Sequence, residues 1–155
     1  MPIPEFVVEL RRHIGRAPLW LPGVTAVVRR DDEVLLVRRA DNGRWTPITG
    51  IVDPGEEPAV AARREALEET GVTIRVDRLA FVSVTPQVTH ANGDLATYLD
   101  HTFACTWLSG EAHVADDESV DVRWFALDAL PDIGERHRER ITAATSSETA
   151  ARFRG

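Results

Sequence analysis

Cysteine is almost absent from this chain. Cys105 stands alone among 155 residues, so no internal disulfide can form, and a reducing compartment, the cytoplasm, is expected. Its neighbours in Phe103-Ala104-Cys105-Thr106-Trp107 alternate with apolar positions, which reads as a buried structural thiol rather than a nucleophile. Missing too is any apolar run near the roughly 18 residues that span a bilayer, which excludes a membrane helix. The start, Met1-Pro2-Ile3-Pro4-Glu5, lacks the basic, apolar and small-residue order of a secretory signal, so export is not expected. Nor is there a basic surplus. The formal net charge is −7, which argues against general binding of a nucleic-acid polymer. An acidic chain can still hold a polyphosphate when divalent cations sit between its carboxylates and the phosphate oxygens. That route calls for clustered carboxylates.

What is present suits one globular domain over residues 1–155, with 43% hydrophobic and 28% charged residues. A chain of this length buries roughly two thirds of its unfolded surface. Apolar positions 6, 7, 10 and 14 follow a helical period that Gly15 and Pro18 end, giving a helical N-terminal extension within residues 1–18. Val24 to Arg30 and Glu33 to Arg39 read as a hairpin around Asp31-Asp32. Val72 to Val84, Leu95 to Leu108 and Val120 to Leu127 read as further strands, with turns at Ala91-Asn92-Gly93-Asp94 and Ser109-Gly110. A terminal helix with a Ser/Thr-containing, frayed end is expected within residues 134–155. The set is mixed α/β.

The chemistry concentrates in residues 50–72. Pro58 fits a first helical turn and Gly71 the left-handed position past the last one, so a helix over about 58–69 is expected. Glu65, Glu68 and Glu69 then stand at i, i+3 and i+4, about 5–6 Å apart on one face. They repel one another, near the helix end where the macrodipole also disfavours negative charge. An exposed acidic face partly neutralised by Arg63 and Arg64 is the plain explanation. The turn Asp53-Pro54-Gly55, which brings Glu56 to the helix start within reach of Arg64, favours a site for Mg²⁺ or Mn²⁺ instead.

The stretch from Gly50 to Val72 resembles the Nudix box, Gx5Ex7REUxEExGU with U aliphatic, and every fixed position matches; Ala66 is the smallest of its aliphatic residues. The strands on both sides extend the resemblance over roughly residues 20–130. It implies a Nudix fold, an α/β architecture with a mixed sheet between helices (α/β/α). It further implies that Glu68 and Glu69 are principal metal ligands, with Glu65 as ligand or general base. Glu56 would complete the carboxylate set and pair with Arg64, and Glu118 is a second candidate base. Thr49 stands where many relatives carry glycine, at a position that offers its backbone carbonyl to a metal. The implied reaction is attack of water on phosphorus in a nucleoside diphosphate linked to another group, such as a (d)NTP, an oxidised nucleotide or an ADP-ribose-like compound. The alternative is a catalytically silent Nudix-fold module that senses or regulates through such nucleotides. The intact Glu65, Glu68, Glu69 and Arg64 favour the enzyme.

Candidate substrate contacts lie mostly outside the box: Arg38, Arg39, Arg44, Trp45 and Gly50. Strand alternation lets only one of Arg38 and Arg39 face the site. Trp20, Trp45 and Tyr98 can stack on a base or fill the core. Pro86, 15 positions beyond Gly71, resembles a signature of ADP-ribose pyrophosphatases and also suits the end of a strand. The loop from His90 to Asp94 can face substrate or serve as a plain hairpin turn. The leading helix can pack on its own domain or on a second copy, which leaves a homodimer open.

Overall fold

The computed structural model describes residues 3–155; the first two residues of the expected N-terminal extension lie outside that range. Its centre is strand β1 (Leu19–Arg30), longer than the apolar run alone suggested. It turns through Asp31, at φ 53°, into β2 (Glu33–Arg39). Two short strands follow, β3 (Trp45–Thr46) on β2 and β4 (Ile48–Ile51) on β1. Helix α2 (Pro58–Thr70) leads to β5 (Thr73–Val84), the short β6 (Val88–Thr89) and β7 (Leu95–Ser109). β7 lies parallel to β1 and antiparallel to β5, and β8 (Ser119–Ala126) runs antiparallel to β2. Helices α1 (Glu5–Ile14) and α3 (Glu135–Thr145) complete the described elements, an α/β/α arrangement with a mixed sheet as expected.

Period-2 alternation divides the core in two. Val24, Ala26, Val28, Leu35 and Val37 point to the face that α2 covers with Ala61, Ala62 and Ala66. Val27, Val34 and Leu36 point the other way, toward Ile141, Ala143 and Ala144 of α3. Alanines on both helices keep their axes close to the sheet, which is why a methyl at position 66 serves as the aliphatic residue of the box. Helix α1 seals a third, smaller cluster by laying Val7 on Leu21 and Ala96. Cys105 is buried in the α2-side core and its thiol is pushed up to about 12 by that burial, as a structural thiol should be. Among the described residues no helix is long and apolar enough to cross a membrane.

The C-terminal segment departs from the expected helix across 134–155. Helix α3 stops at Thr145, and Ser146 is extended at φ −70° and ψ 165°. Arg78 of β5 helps to end it: its Nη2 donates to the Ala143 carbonyl at 2.8 Å and the Ser146 carbonyl at 3.1 Å, serving groups a longer helix would have used itself. The chain then lies along β5, where Arg152 donates to Ala80 at 2.9 Å and accepts from Val82 at 3.0 Å. Replacing Arg78 with alanine should lower unfolding free energy by about 1–2 kcal/mol, because those carbonyls lose a charged donor; urea denaturation with an unchanged slope checks it.

Candidate active site

One arginine organises the acidic side chains. Arg64, in the second turn of α2, reaches back to the turn before the helix and grips Glu56 with two bonds, Nε to Oε1 and Nη2 to Oε2, each 2.9 Å. The same guanidinium donates to Glu65 Oε1 at 2.8 Å, Glu68 Oε2 at 3.3 Å and the Ile51 carbonyl at 3.1 Å. Glu56 also accepts from the Asp53 amide at 3.1 Å, which closes the Asp53-Pro54-Gly55 turn. The Arg64 bond, helped by the Asp53 amide, holds the Glu56 carboxyl below its usual range. Structurally, Glu56 is the anchor of Arg64.

The three glutamates do not share one environment. At 100° per residue Glu68 and Glu69 fall on opposite sides of Glu65. Glu65 is 0% exposed and Glu69 3%, both turned toward the sheet, while the side chain of Glu68 is 43% exposed. Glu65 presses against Gly50: a β-carbon there would lie 2.2 Å from its Cδ, so the first glycine of the box supplies clearance rather than an unusual backbone angle. Burial pushes Glu65 up to about 7 against the pull of Arg64. Glu69 is pushed up to about 9, first by burial and then by Glu118, Glu65 and Asp116. Glu65 Oε2 is buried without a hydrogen-bond partner.

Those features fit a hard divalent cation, although among the described residues no three His, Cys, Asp or Glu side chains converge into a ready cage. Mg²⁺ does not require one, because it commonly takes one or two carboxylates and completes its shell with waters and substrate phosphates. An orphaned buried carboxylate oxygen, crowded by like charges, is the donor such an ion satisfies.

Glu118 arrives from the other side. The loop between β7 and β8 is tied to the end of α2, His113 N to the Thr70 carbonyl and Ala115 N to the Glu69 carbonyl, both 3.1 Å. The Glu118 carbonyl in turn accepts from Ala40 at 2.8 Å. The link is close-fitting, since a β-carbon on Gly71 would strike the His113 ring at 2.2 Å.

Beside these groups opens a cleft of about 980 Å³. Thr49, Gly50 and Glu118 reach its wall, as do Arg39 and Arg44, whereas Arg38 and Trp45 do not. Arg39 is paired with Asp41 through Nε at 2.9 Å and Nη2 at 2.7 Å. Arg38 turns out and donates to the Gly43 carbonyl at 3.1 Å, while Trp45 meets Phe125 edge-on at 4.9 Å in the α3-side core. Of the other aromatics, Tyr98 lines the cleft, 2.8 Å from His90 Nε2, and Trp20 does not. The hairpin turn from His90 to Asp94 is therefore both turn and wall. The α2 carboxylates lie behind the wall at Gly50.

Sequence reasoning passed over the opposite wall, formed by Arg11 and by Arg136, His137 and Arg140 of α3. A signal existed. Ile133, His137, Ile141 and Ala144 recur at helical spacing and mark the inward face of α3, and Asp100 interrupts an apolar strand.

A NUDIX domain family model matches residues 19–144. The chain belongs to the Nudix family. It is 34% identical over 116 residues to an NAD-capped RNA hydrolase NudC of Pseudomonas aeruginosa, covering 74% of this chain but only 39% of that protein. A MutT-like protein of Streptomyces ambofaciens is 34% identical over 113 residues, 73% of this chain and 66% of the relative. Among solved structures, a UDP-X diphosphatase superposes with a TM-score of 0.65 and 27% identity, over 93% of this chain and 70% of the other. The Nudix chain thus spans about two fifths of the NudC relative. The expectation of Nudix membership is borne out.

Two outcomes follow from the geometry. Gly50→Ala should force Glu65 aside, lowering stability by about 1–3 kcal/mol in chemical denaturation. The second concerns pH. Glu65 and Glu69 hold protons more tightly folded than unfolded, so their stabilisation is full below the ordinary carboxylate range and is lost as pH rises through about 7 and about 9. Without divalent metal, Tm should fall across that window, and Mg²⁺ should offset the fall increasingly toward its alkaline end. An identical Tm profile with and without Mg²⁺ would count against metal binding at these carboxylates.

Proposed function

We propose that this Nudix chain is a divalent-metal-dependent pyrophosphohydrolase that cuts a nucleoside diphosphate linked to a second moiety. The observation that carries this reading is the Arg64-tethered carboxylate set, with Glu65 and Glu69 buried beside an open cleft and one oxygen of Glu65 left without a partner. A sensor would need neither the buried charge nor its tether.

Glu65 and Glu69, with Glu68 at the solvent edge and the Thr49 carbonyl on the cleft wall, are the groups that would hold Mg²⁺ or Mn²⁺. The bound ion supplies charge neutralisation of the diphosphate and Lewis acidity toward its oxygens. Arg64 keeps Glu65 in place, and Glu56 keeps Arg64 in place. Glu118 stands in the cleft itself, whereas Glu65 is enclosed beneath Gly50, so Glu118 is the side chain placed to take a proton from water. Water oxygen then bonds to phosphorus, the bridging P–O bond breaks, and the leaving phosphate departs with its electron pair. Arg39 and Arg44 meet phosphate oxygens along the wall, and Tyr98 with His90 offers a face and edge for a base or sugar.

The substrate reading draws on the cleft and the relatives together. A volume near 980 Å³ admits a nucleoside diphosphate with its partner group. NudC and UDP-X diphosphatase carry names of that chemical type. The lone buried thiol is consistent with work in the cytoplasm.

A panel of dNTPs, ADP-ribose, NADH and dinucleoside polyphosphates with Mg²⁺ or Mn²⁺ should yield a nucleoside monophosphate from at least one member. Glu69→Gln should cut turnover by more than about 100-fold with circular dichroism unchanged. Silence across the whole panel would favour the sensing module instead.

A further inference from the structure

The cleft has a second charged end, away from α2. Arg140 of α3 is 3% exposed, lines the cleft, and leaves its Nε and Nη2 without hydrogen-bond partners. Its ion-pair partner is Asp100, with Nε to Oδ2 at 3.4 Å, and that carboxylate already accepts Thr25 Oγ1 at 2.8 Å and Thr102 Oγ1 at 2.7 Å. One turn earlier, Arg136 makes no ion pair among the described residues, and its Nε is buried without a partner. Between them His137 also reaches the cleft with an unpartnered Nδ1. Desolvation and the surrounding Arg140, Arg136 and Arg39 depress this imidazole to about 3, so it is neutral and adds no charge of its own beside Arg136 and Arg140. Helix α3 begins here at Gly134 without a side-chain cap, so its first amides are open. Cations at the start of a helix run against its macrodipole. The unmet donors of Arg136 and Arg140 and an open helix start cost stability unless an anion occupies the space beside them.

We propose that the α3 end of the cleft is an anion subsite, built by Arg136, Arg140, His137 and the first turn of α3, that takes a phosphoryl group lying beyond the cleaved diphosphate. Planar guanidiniums and helix amides are the donors that match phosphate oxygens. Arg39 stands between the two ends: Glu69 and Glu118 act on its charge from one side, and it acts on His137 on the other. A substrate lying along Arg39 therefore meets the carboxylates with one phosphate and α3 with another. The substrate class is a nucleotide carrying a phosphoryl group in addition to its scissile pair. That last step rests on the pyrophosphohydrolase reading; the subsite does not.

Inorganic phosphate is the probe, and the full chain in excess EDTA is the sample, so that no metal at the α2 carboxylates can carry phosphate into the cleft. Isothermal titration should show saturable binding, weakened about tenfold in Arg136→Gln, which removes a half-buried guanidinium that lies outside the hydrophobic core clusters. Arg138→Gln, on the outward face of the same helix, removes equal charge and should bind as the unaltered chain does. Arg140→Gln should lose binding as well, provided its circular dichroism is unchanged. No saturable binding to the unaltered chain, or equal weakening by Arg138→Gln, overturns the subsite. Since the titration needs no turnover, inactivity on the nucleotide panel would sink the hydrolase reading separately. Where turnover is found, competitive inhibition by phosphate that disappears in Arg136→Gln assigns the subsite to the substrate's own phosphoryl group. Inhibition that is not competitive but equally sensitive to Arg136 assigns it to free phosphate; both results uphold the subsite.

Discussion

A single guanidinium, that of Arg64, fixes where the acidic chemistry can occur. It joins the turn before α2 to the helix itself, so strand end, turn and carboxylates form one unit rather than three flexible pieces. Charge-assisted bonds of this kind contribute about 1.5–3 kcal/mol each when well oriented. Much of that gain is offset by the burial of Glu65, whose proton affinity is raised in spite of the arginine beside it. The site is therefore held in a costly arrangement by the rigidity of its surroundings. Removing a partner would not relax it but would leave a buried carboxylate with even less compensation.

Small residues make that arrangement physically possible. Ala61, Ala62 and Ala66 let α2 settle on the sheet, and Gly50 leaves room for the Glu65 carboxyl where any β-carbon would collide. Gly71 works differently. Its φ of 71° ends the helix, and its bare α-carbon admits His113, which brings the next loop onto the helix end. Packing and chemistry thus depend on the same positions.

Much of this was legible beforehand. The apolar runs from Val24 to Arg39 marked the first hairpin, the resemblance implied a sheet between helices, and Pro58 with Gly71 bounded α2 to within one residue. The pairing of Glu56 with Arg64 was implied by the resemblance to the Nudix box. Less legible was anything requiring the register of one element against another. Alternation said that one of Arg38 and Arg39 could face the cleft, but only the packing of β2 between β3 and β8 decides that it is Arg39. Trp45 lay near the box in sequence, yet Phe125 draws it to the other layer. Spacing placed Glu68 with Glu65 and Glu69, and the direction of the sheet turned it to solvent. The final ten residues looked helical by composition. A free edge on β5 and the Arg78 donor competed for them and won.

The tie between the β7–β8 loop and α2 sets where this protein can vary. Ala115 donates to the carbonyl of Glu69, and Ala40 to that of Glu118, so the two carboxylates are braced by backbone on both sides. Shifting one relative to the other means breaking main-chain bonds and uncapping a helix. The opposite wall is tied through a side chain instead: Arg11 of α1 donates to the Leu95 carbonyl at 2.7 Å and pairs with Asp94 at 3.5 Å, closing α1 on the His90 to Asp94 turn, with the first turn of α3 beside them. Main-chain bonds hold the acidic block and side chains hold the far wall, so substitutions in those three segments can reshape the cleft while the acidic block stays as it is.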